Sequence, residues 1–160
     1  MGAITRSISN NLTTGLGAGL VKQVVTATNS TQNNVASTSF TDTNLTANIT
    51  PSATSSKILV MVQQQIVADR DNEDAYSALR LLRASSVLET FDKAQWDEAG
   101  GVGAVKAGSI STLIYLDSPS STSAVTYHTE GKIGATSNNG TARFQQSSEI
   151  STITLMEILA

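Results

Sequence analysis

Residues 45–68, LTANITPSATSSKILVMVQQQIVA, decide the fold of this chain. Apolar residues recur at every second position, as at Ile58, Val60 and Val62, and no helical period of 3.6 residues is present. Pro51 and Ser52 mark a turn between a short strand and a long one. The segment therefore predicts an antiparallel β-protein.

The same pattern continues along the rest of the chain. Short runs rich in β-branched residues are separated by Ser, Asn and Gly, and no convincing core helix interrupts them. Strands are predicted at 20–28, 37–42, 44–50, 57–68, 76–83, 87–91, 110–117, 124–130, 141–146 and 150–159. Loops are predicted at 69–74 and 92–108. This arrangement indicates an all-β sandwich or barrel.

Composition excludes several classes of protein. The 160 residues fit one domain, carry a net charge of −3 and contain no basic patch, so binding to nucleic acid through phosphate contacts is disfavoured. The chain has no cysteine, which removes disulfides and thiolate zinc sites. No signal peptide and no apolar run of about 18 residues is visible, so we expect synthesis in a cytoplasm and no membrane partner.

Residues 1–19 differ from the β-domain predicted for 20–160. Ile4, Ile8 and Leu12 recur every four residues, which would place them on one stripe of a short helix, and a Gly-rich joint follows them. A stripe this short cannot form a core, so we expect these three residues to dock on a partner. The alternative is a disordered tail.

Two strands carry apolar residues on both faces. In 57–68 the side chains of Ile58 and Val60 would face one way and those of Leu59 and Met61 the other, and 150–159 shows the same feature. A single small sandwich has one core, so the second face predicts self-association. Leu155 is expected to be buried in a core or an interface.

The titratable residues give no recognisable catalytic centre. His128 is the only histidine and lies in a predicted strand, where a surface position is favoured over a catalytic base. Asp69, Asp71 and Asp74 crowd one predicted loop. Their spacing fails the calcium-loop pattern, so a solvated hairpin loop is favoured over a metal site.

Trp96 lies in the second predicted loop, between acidic and amide side chains. Packing as a lid on the end of the sandwich, or between subunits, is favoured because tryptophan is usually well buried. The alternative is an exposed ring that stacks on a sugar. With Asp71 and Asp74, Trp96 is the candidate for a binding loop.

Two strings in the chain carry a resemblance to a known family. ITPSATSSKILV at 49–60 and ISTITLMEI at 150–158, with LDSP at 116–119, resemble small β-domains of bacteriophage and cyanophage virion proteins. The similarity covers roughly residues 20–159, and the loops at 69–74 and 92–103 depart from the pattern. It implies a jelly-roll-type sandwich that assembles as a trimer on the virion surface.

The expected function is therefore that of a non-enzymatic virion structural protein without a cofactor. It would be a homotrimeric capsid decoration or cement protein, or a short head fibre, held to other virion proteins by residues 1–19. The alternative is a receptor-binding domain of a tail fibre or fibre tip that binds a host surface glycan.

Overall fold

The computed structural model describes residues 20–71, 75–96 and 104–160, and in these segments the chain is built from β-strands. A single turn of 3-10 helix, Gln146–Ser148, joins the last two strands. The strands are β1 (Val21–Asn29), β2 (Asn33–Val35), β3 (Thr41–Ile49), β4 (Lys57–Asp71), β5 (Ala75–Arg83), β6 (Ser86–Trp96), β7 (Ala104–Asp117), β8 (Val125–Ile133), β9 (Thr141–Phe144) and β10 (Ser151–Ile158).

The strands form two antiparallel sheets packed as a sandwich. The first sheet runs β1-β10-β4-β9-β2, with β7 on the other edge of β4, and the second runs β3-β8-β5-β6. The long strand β4 pairs with β10 along its first half and with β9 along its second half. If β9 and β10 are taken as one interrupted strand, and β1 and β2 as another, the order is that of an eight-stranded jelly roll. The predicted sandwich is confirmed.

The core lies between the sheets in two apolar clusters. One surrounds Leu81, Tyr127 and Leu155, and the other surrounds Ile66 and Phe144. Burial alternates residue by residue along β3, β8 and β10, because successive side chains of a strand point to opposite faces. Leu155 is fully buried, as predicted from the sequence.

A polar network joins the two sheets inside the sandwich. Gln64 on β4 donates to the Thr43 hydroxyl at 2.9 Å and accepts from the Thr129 hydroxyl at 2.7 Å. All three side chains are inaccessible to solvent. The bonds satisfy polar groups that would otherwise be costly to bury. They also hold β4 in a defined position opposite β3 and β8 across the core.

The prediction of separate strands at 37–42 and 44–50 is wrong, because β3 is one strand with a bulge. Its register against β8 shifts between Asp42 and Thr46. Asn44 has a φ of 64°, and the Asp42 carboxylate accepts a hydrogen bond from its backbone N–H at 2.6 Å. The irregularity is local, because burial still alternates from Thr43 to Ile49 and the pairing with β8 continues beyond it.

Both predicted loops are shorter than expected. β4 extends to Asp71, so Asp69 and Asp71 belong to a strand. β6 extends to Trp96 and β7 begins at Ala104, so much of 92–108 is also strand. These polar segments have weak strand propensity, and pairing with β5 and β4 decides their conformation.

The predicted N-terminal arm, including Ile4, Ile8 and Leu12, lies outside the described residues, as does Asp74. Where the structure describes the chain, it contains no helix with the length and apolar character needed to cross a membrane.

Candidate interaction surfaces

Four connections leave the sandwich at one end, here called the loop end. Asp71 pairs with Ala104, and Ala75 pairs with Trp96, so connections 72–74 and 97–103 both start from this end. Connection 134–140 lies at the same end, because the Asp71 backbone N–H donates to the Asn138 carbonyl at 2.8 Å. The fourth is 36–40, where the Ser37 carbonyl accepts from the Ile133 N–H at 3.0 Å.

The two ends of the described chain meet at the opposite end, here called the terminal end. The Leu159 backbone N–H donates to the Leu20 carbonyl at 2.9 Å, and Ile158 pairs with Lys57. Residues 1–19 are therefore joined to the sandwich at the end away from the predicted binding loops.

The outward side of the first sheet carries a set of apolar side chains, here called the apolar face. Two rows of paired residues cross it, Val24–Met156–Leu59–Leu116 and Thr26–Thr154–Met61–Ile114. Ile114 is 71% exposed, Ile110 58% and Val24 52%. The face comprises Val24, Leu59, Met61, Ile110, Ile114, Leu116, Met156 and Ile158.

An open groove of about 400 Å³ lies on this face, and Met61 and Ile114 are among the residues that line it. Its other outward-facing lining residues are Gln63, Thr112, Thr152 and Thr154. The face therefore presents a protruding isoleucine beside a depression of apolar and hydroxyl groups.

The outward side of the second sheet has a different chemistry. Arg80 forms an ion pair with Glu130 and also lies over the Phe40 ring, 4.3 Å from its centroid. Lys132 approaches the same ring at 5.0 Å, and His128 lies 3.9 Å from the Glu130 carboxylate. Charged side chains of this kind favour contact with water, so the two outward faces of the sandwich are not equivalent.

A buried carboxylate holds the terminal end together. Glu157 accepts hydrogen bonds from the backbone N–H and hydroxyl of Ser52, both at 2.6 Å, from the Ser56 hydroxyl at 2.7 Å and from the Gln23 amide at 2.6 Å. Desolvation acts to raise the pKa of this carboxyl, but the four donors outweigh it and lower the pKa to about 2. All four of these donors belong to the protein itself, so we interpret Glu157 as a structural carboxylate.

A second carboxylate bridges the two sheets. Asp117 accepts two hydrogen bonds from the Arg83 guanidinium, at 2.8 and 2.9 Å, and a third from the Tyr127 hydroxyl at 2.7 Å. Burial, and the bond that this hydroxyl donates to Asp117, raise the pKa of Tyr127 far above its ordinary value. Neither Asp117 nor Glu157 was among the residues singled out from the sequence. The sequence did contain a signal for Glu157, because this charged residue shares its side of β10 with Ile153 and Leu155.

Asp69 and Asp71, two of the acidic residues that the sequence groups together, each have their own partners within the protein. Asp69 is buried and forms ion pairs with Arg143 and Lys106. Asp71 accepts a hydrogen bond from the Asn139 amide at 2.8 Å. Within the described ranges, no group of three or more acidic or histidine side chains is positioned to share a metal ion.

His128 and Trp96, the other two candidate residues, lie on different strands of the second sheet. His128 lies on β8, half-buried on the charged side, with Glu130 as its neighbour. Trp96 ends β6 at the loop end, where its backbone pairs with Ala75. This position is compatible with both the lid and the binding-loop interpretations of Trp96.

Comparisons with known proteins leave the family open. A scan against protein-family models finds no match, and neither does a search of curated proteins. Among solved structures, a chain from infectious bursal disease virus, Gx strain, is similar to 88% of this chain with a TM-score of 0.38 and 10% sequence identity. The matched region spans 39% of that viral chain. A similarity this distant does not indicate a shared function.

Proposed function

We propose that this chain is a non-enzymatic structural protein of a bacteriophage particle. It would act as a homotrimeric capsid decoration or cement protein, or as a short head fibre. The observation that carries the proposal is a jelly-roll sandwich whose terminal end and loop end lie at opposite poles. Such a molecule can be held at one pole while it exposes the other.

Two further points support a virion role. Double-sheet jelly rolls are a common architecture of viral coat domains, although they also occur in lectins and other proteins. The strings at 49–60 and 150–158 resemble phage virion β-domains, and in the fold they form the β3–β4 connection with the start of β4, and β10. The two strings are in contact in the fold, because Glu157 of the second accepts hydrogen bonds from Ser52 and Ser56 of the first.

The buried charged groups also fit a structural role. Glu157 and Asp117 are each enclosed by donors from the protein itself, which leaves them poorly placed to act on a substrate. Their hydrogen bonds tie strands and connections together. A protein exposed on a particle surface benefits from a rigid scaffold of this kind.

The proposed role of residues 1–19 is tested by deletion of residues 2–18. We expect the melting temperature of the sandwich to be unchanged, because the described core uses none of these residues, and incorporation into particles to be lost. Immunolabelling of intact particles would locate the full chain. A large fall in melting temperature would show instead that the segment belongs to the fold.

The second candidate is a receptor-binding domain of a tail fibre. It is favoured by the position of Trp96 at the loop end, away from the terminal end to which residues 1–19 are joined. A glycan array separates the two functions. Binding that is lost in Trp96→Ala would favour receptor recognition, and binding by neither protein would favour decoration.

A further inference from the structure

We infer that the apolar face is covered by further copies of this chain. The inference deepens the proposed function, and it depends on the proposed homotrimer only for the number of copies. Three sandwiches that turn their first sheets toward a common axis would cover one another's apolar faces and leave the charged sides in water.

The chemistry of the face favours association over exposure. Its two central rows contain only apolar and threonine side chains, in contrast to the paired charges on the second sheet. Contiguous apolar patches of more than a few hundred Å² on a soluble protein usually mark an interaction site. Side chains that are 50–71% exposed contribute little to the core of their own subunit. Only contact with another molecule would remove them from water.

The size of the face suits a contact shared by three copies. Four strands about 4.8 Å apart and roughly nine residues long at about 3.4 Å each give the outward side of the sheet, with its apolar rows and the polar rows beside them, a footprint of about 500–600 Å² per copy. Three such surfaces around one axis bury about 1,500–1,800 Å² in total, or about 500–600 Å² for each pair of subunits, so the contact depends on all three copies together. Adjoining side chains at the strand edges would add to this area.

A copy of the same chain fits this face better than other partners. The central rows carry no charge, so two copies meet without electrostatic repulsion, whereas a polyanion would require cations there. The described part of the face has no aromatic ring on which a sugar could stack. The exposed Ile114 and the groove beside it also provide a projection and a depression on one surface.

The first test is the mass of the full chain in solution at micromolar concentration. Light scattering should give three times the 16.7 kDa of one chain. Ile114→Lys should remain folded, because the side chain is exposed, and should dissociate to monomers. Val87→Lys on β6 is the matched control, since Val87 is 48% exposed on the other sheet, and its mass should be unchanged.

A second test uses the absence of cysteine from the sequence. The single-cysteine variant Ile114→Cys should form covalent pairs on mild oxidation, whereas Val87→Cys should not. A monomeric wild type would overturn the inference. So would an Ile114→Lys variant that keeps the wild-type mass together with an Ile114→Cys variant that, like Val87→Cys, forms no covalent pairs.

Two further outcomes separate this inference from the others. The wild type could prove monomeric, and its variant lacking residues 2–18 could bind a hydrophobic dye that the wild type does not bind. That result would show that the N-terminal segment covers the face and that the inference is wrong. If the trimer and its Ile114 dependence are found but the protein is absent from particles, the inference holds and the proposed function fails.

Discussion

The Glu157 carboxylate accepts a hydrogen bond from the backbone N–H of Ser52 at 2.6 Å, and this contact fastens the β3–β4 connection to the last strand. The Ser52 and Ser56 hydroxyls reach the same oxygen, and the Gln23 amide reaches the other. One ionised side chain thus joins β1, β10 and the turn that begins β4. The terminal end of the sandwich depends on its charge.

Acid should destabilise the fold through Glu157. Its pKa is lowered from 4.5 to about 2 in the folded chain, so the unfolded state takes up a proton first as the pH falls. The stabilisation is complete above about pH 5 and is lost between about pH 5 and 2. Glu157→Gln should cost about 1–3 kcal/mol at pH 7, because bonds to a charged acceptor are lost. The difference between wild type and variant should shrink in melts at pH 3. Glu149→Gln, at an exposed position, is the control and should show no such pH dependence.

Removal of the Tyr127 hydroxyl should loosen the contact between the sheets. Tyr127→Phe keeps the buried ring but deprives Asp117 of one donor, so the free energy of unfolding should fall by about 1–3 kcal/mol. Tyr76→Phe is the control, because that exposed hydroxyl donates only one bond of 3.4 Å, and its effect should be below about 0.5 kcal/mol. Urea unfolding of both variants measures the difference. Equal effects would mean that the Asp117 contact adds nothing.

Gly131 should tolerate no side chain. A Cβ atom there would lie 2.1 Å from the Cζ atom of Phe144, so Gly131→Ala should cost about 1–3 kcal/mol through overpacking. Gly108→Ala is the control, since its nearest neighbour would be 3.4 Å away, an ordinary contact. In the double variant Gly131→Ala/Phe144→Leu the two costs should be less than additive. Full additivity in a thermal-melting cycle would contradict the proposed clash.

Leu155→Asp should be among the most damaging single changes. Leu155 is fully buried in the larger core cluster, and an unpaired carboxylate there would be desolvated. We expect a loss of several kcal/mol, or no folded protein at all. Leu155→Ala, which leaves only a cavity, should cost about 2–5 kcal/mol and provides a measurable comparison. If the two variants melted alike, the side chain would have access to water.

Calcium should not stabilise the chain. Asp69 is paired with Arg143 and Lys106, and Asp71 is bonded to Asn139, so both carboxylates already have partners within the protein. A cation bound only by the folded state at about 100 times its dissociation constant would add about 2.7 kcal/mol. Melting in millimolar CaCl₂ and in EDTA should give the same temperature. A shift of many degrees that Asp71→Asn abolishes would require a metal site at the loop end.

The sequence by itself determined the class of fold and the central strands. The alternation in β4 predicted which side chains share a face, and the common burial of Ile58, Val60 and Val62 confirms this grouping. Local patterns succeed here because a strand with one buried face has a fixed period of two. The extra apolar residues on the other side, such as Met61, were also visible in the sequence.

Only the tertiary structure decided the strand ends and the polar clusters. Asp92 and Lys93 have poor strand propensity, but pairing with β5 supplies partners for their backbone groups. Glu157, Ser52 and Gln23 are far apart in the chain, so their common hydrogen-bonding site exists only after β1 and β10 pair. Long-range pairing brings such groups together, and no local periodicity encodes it.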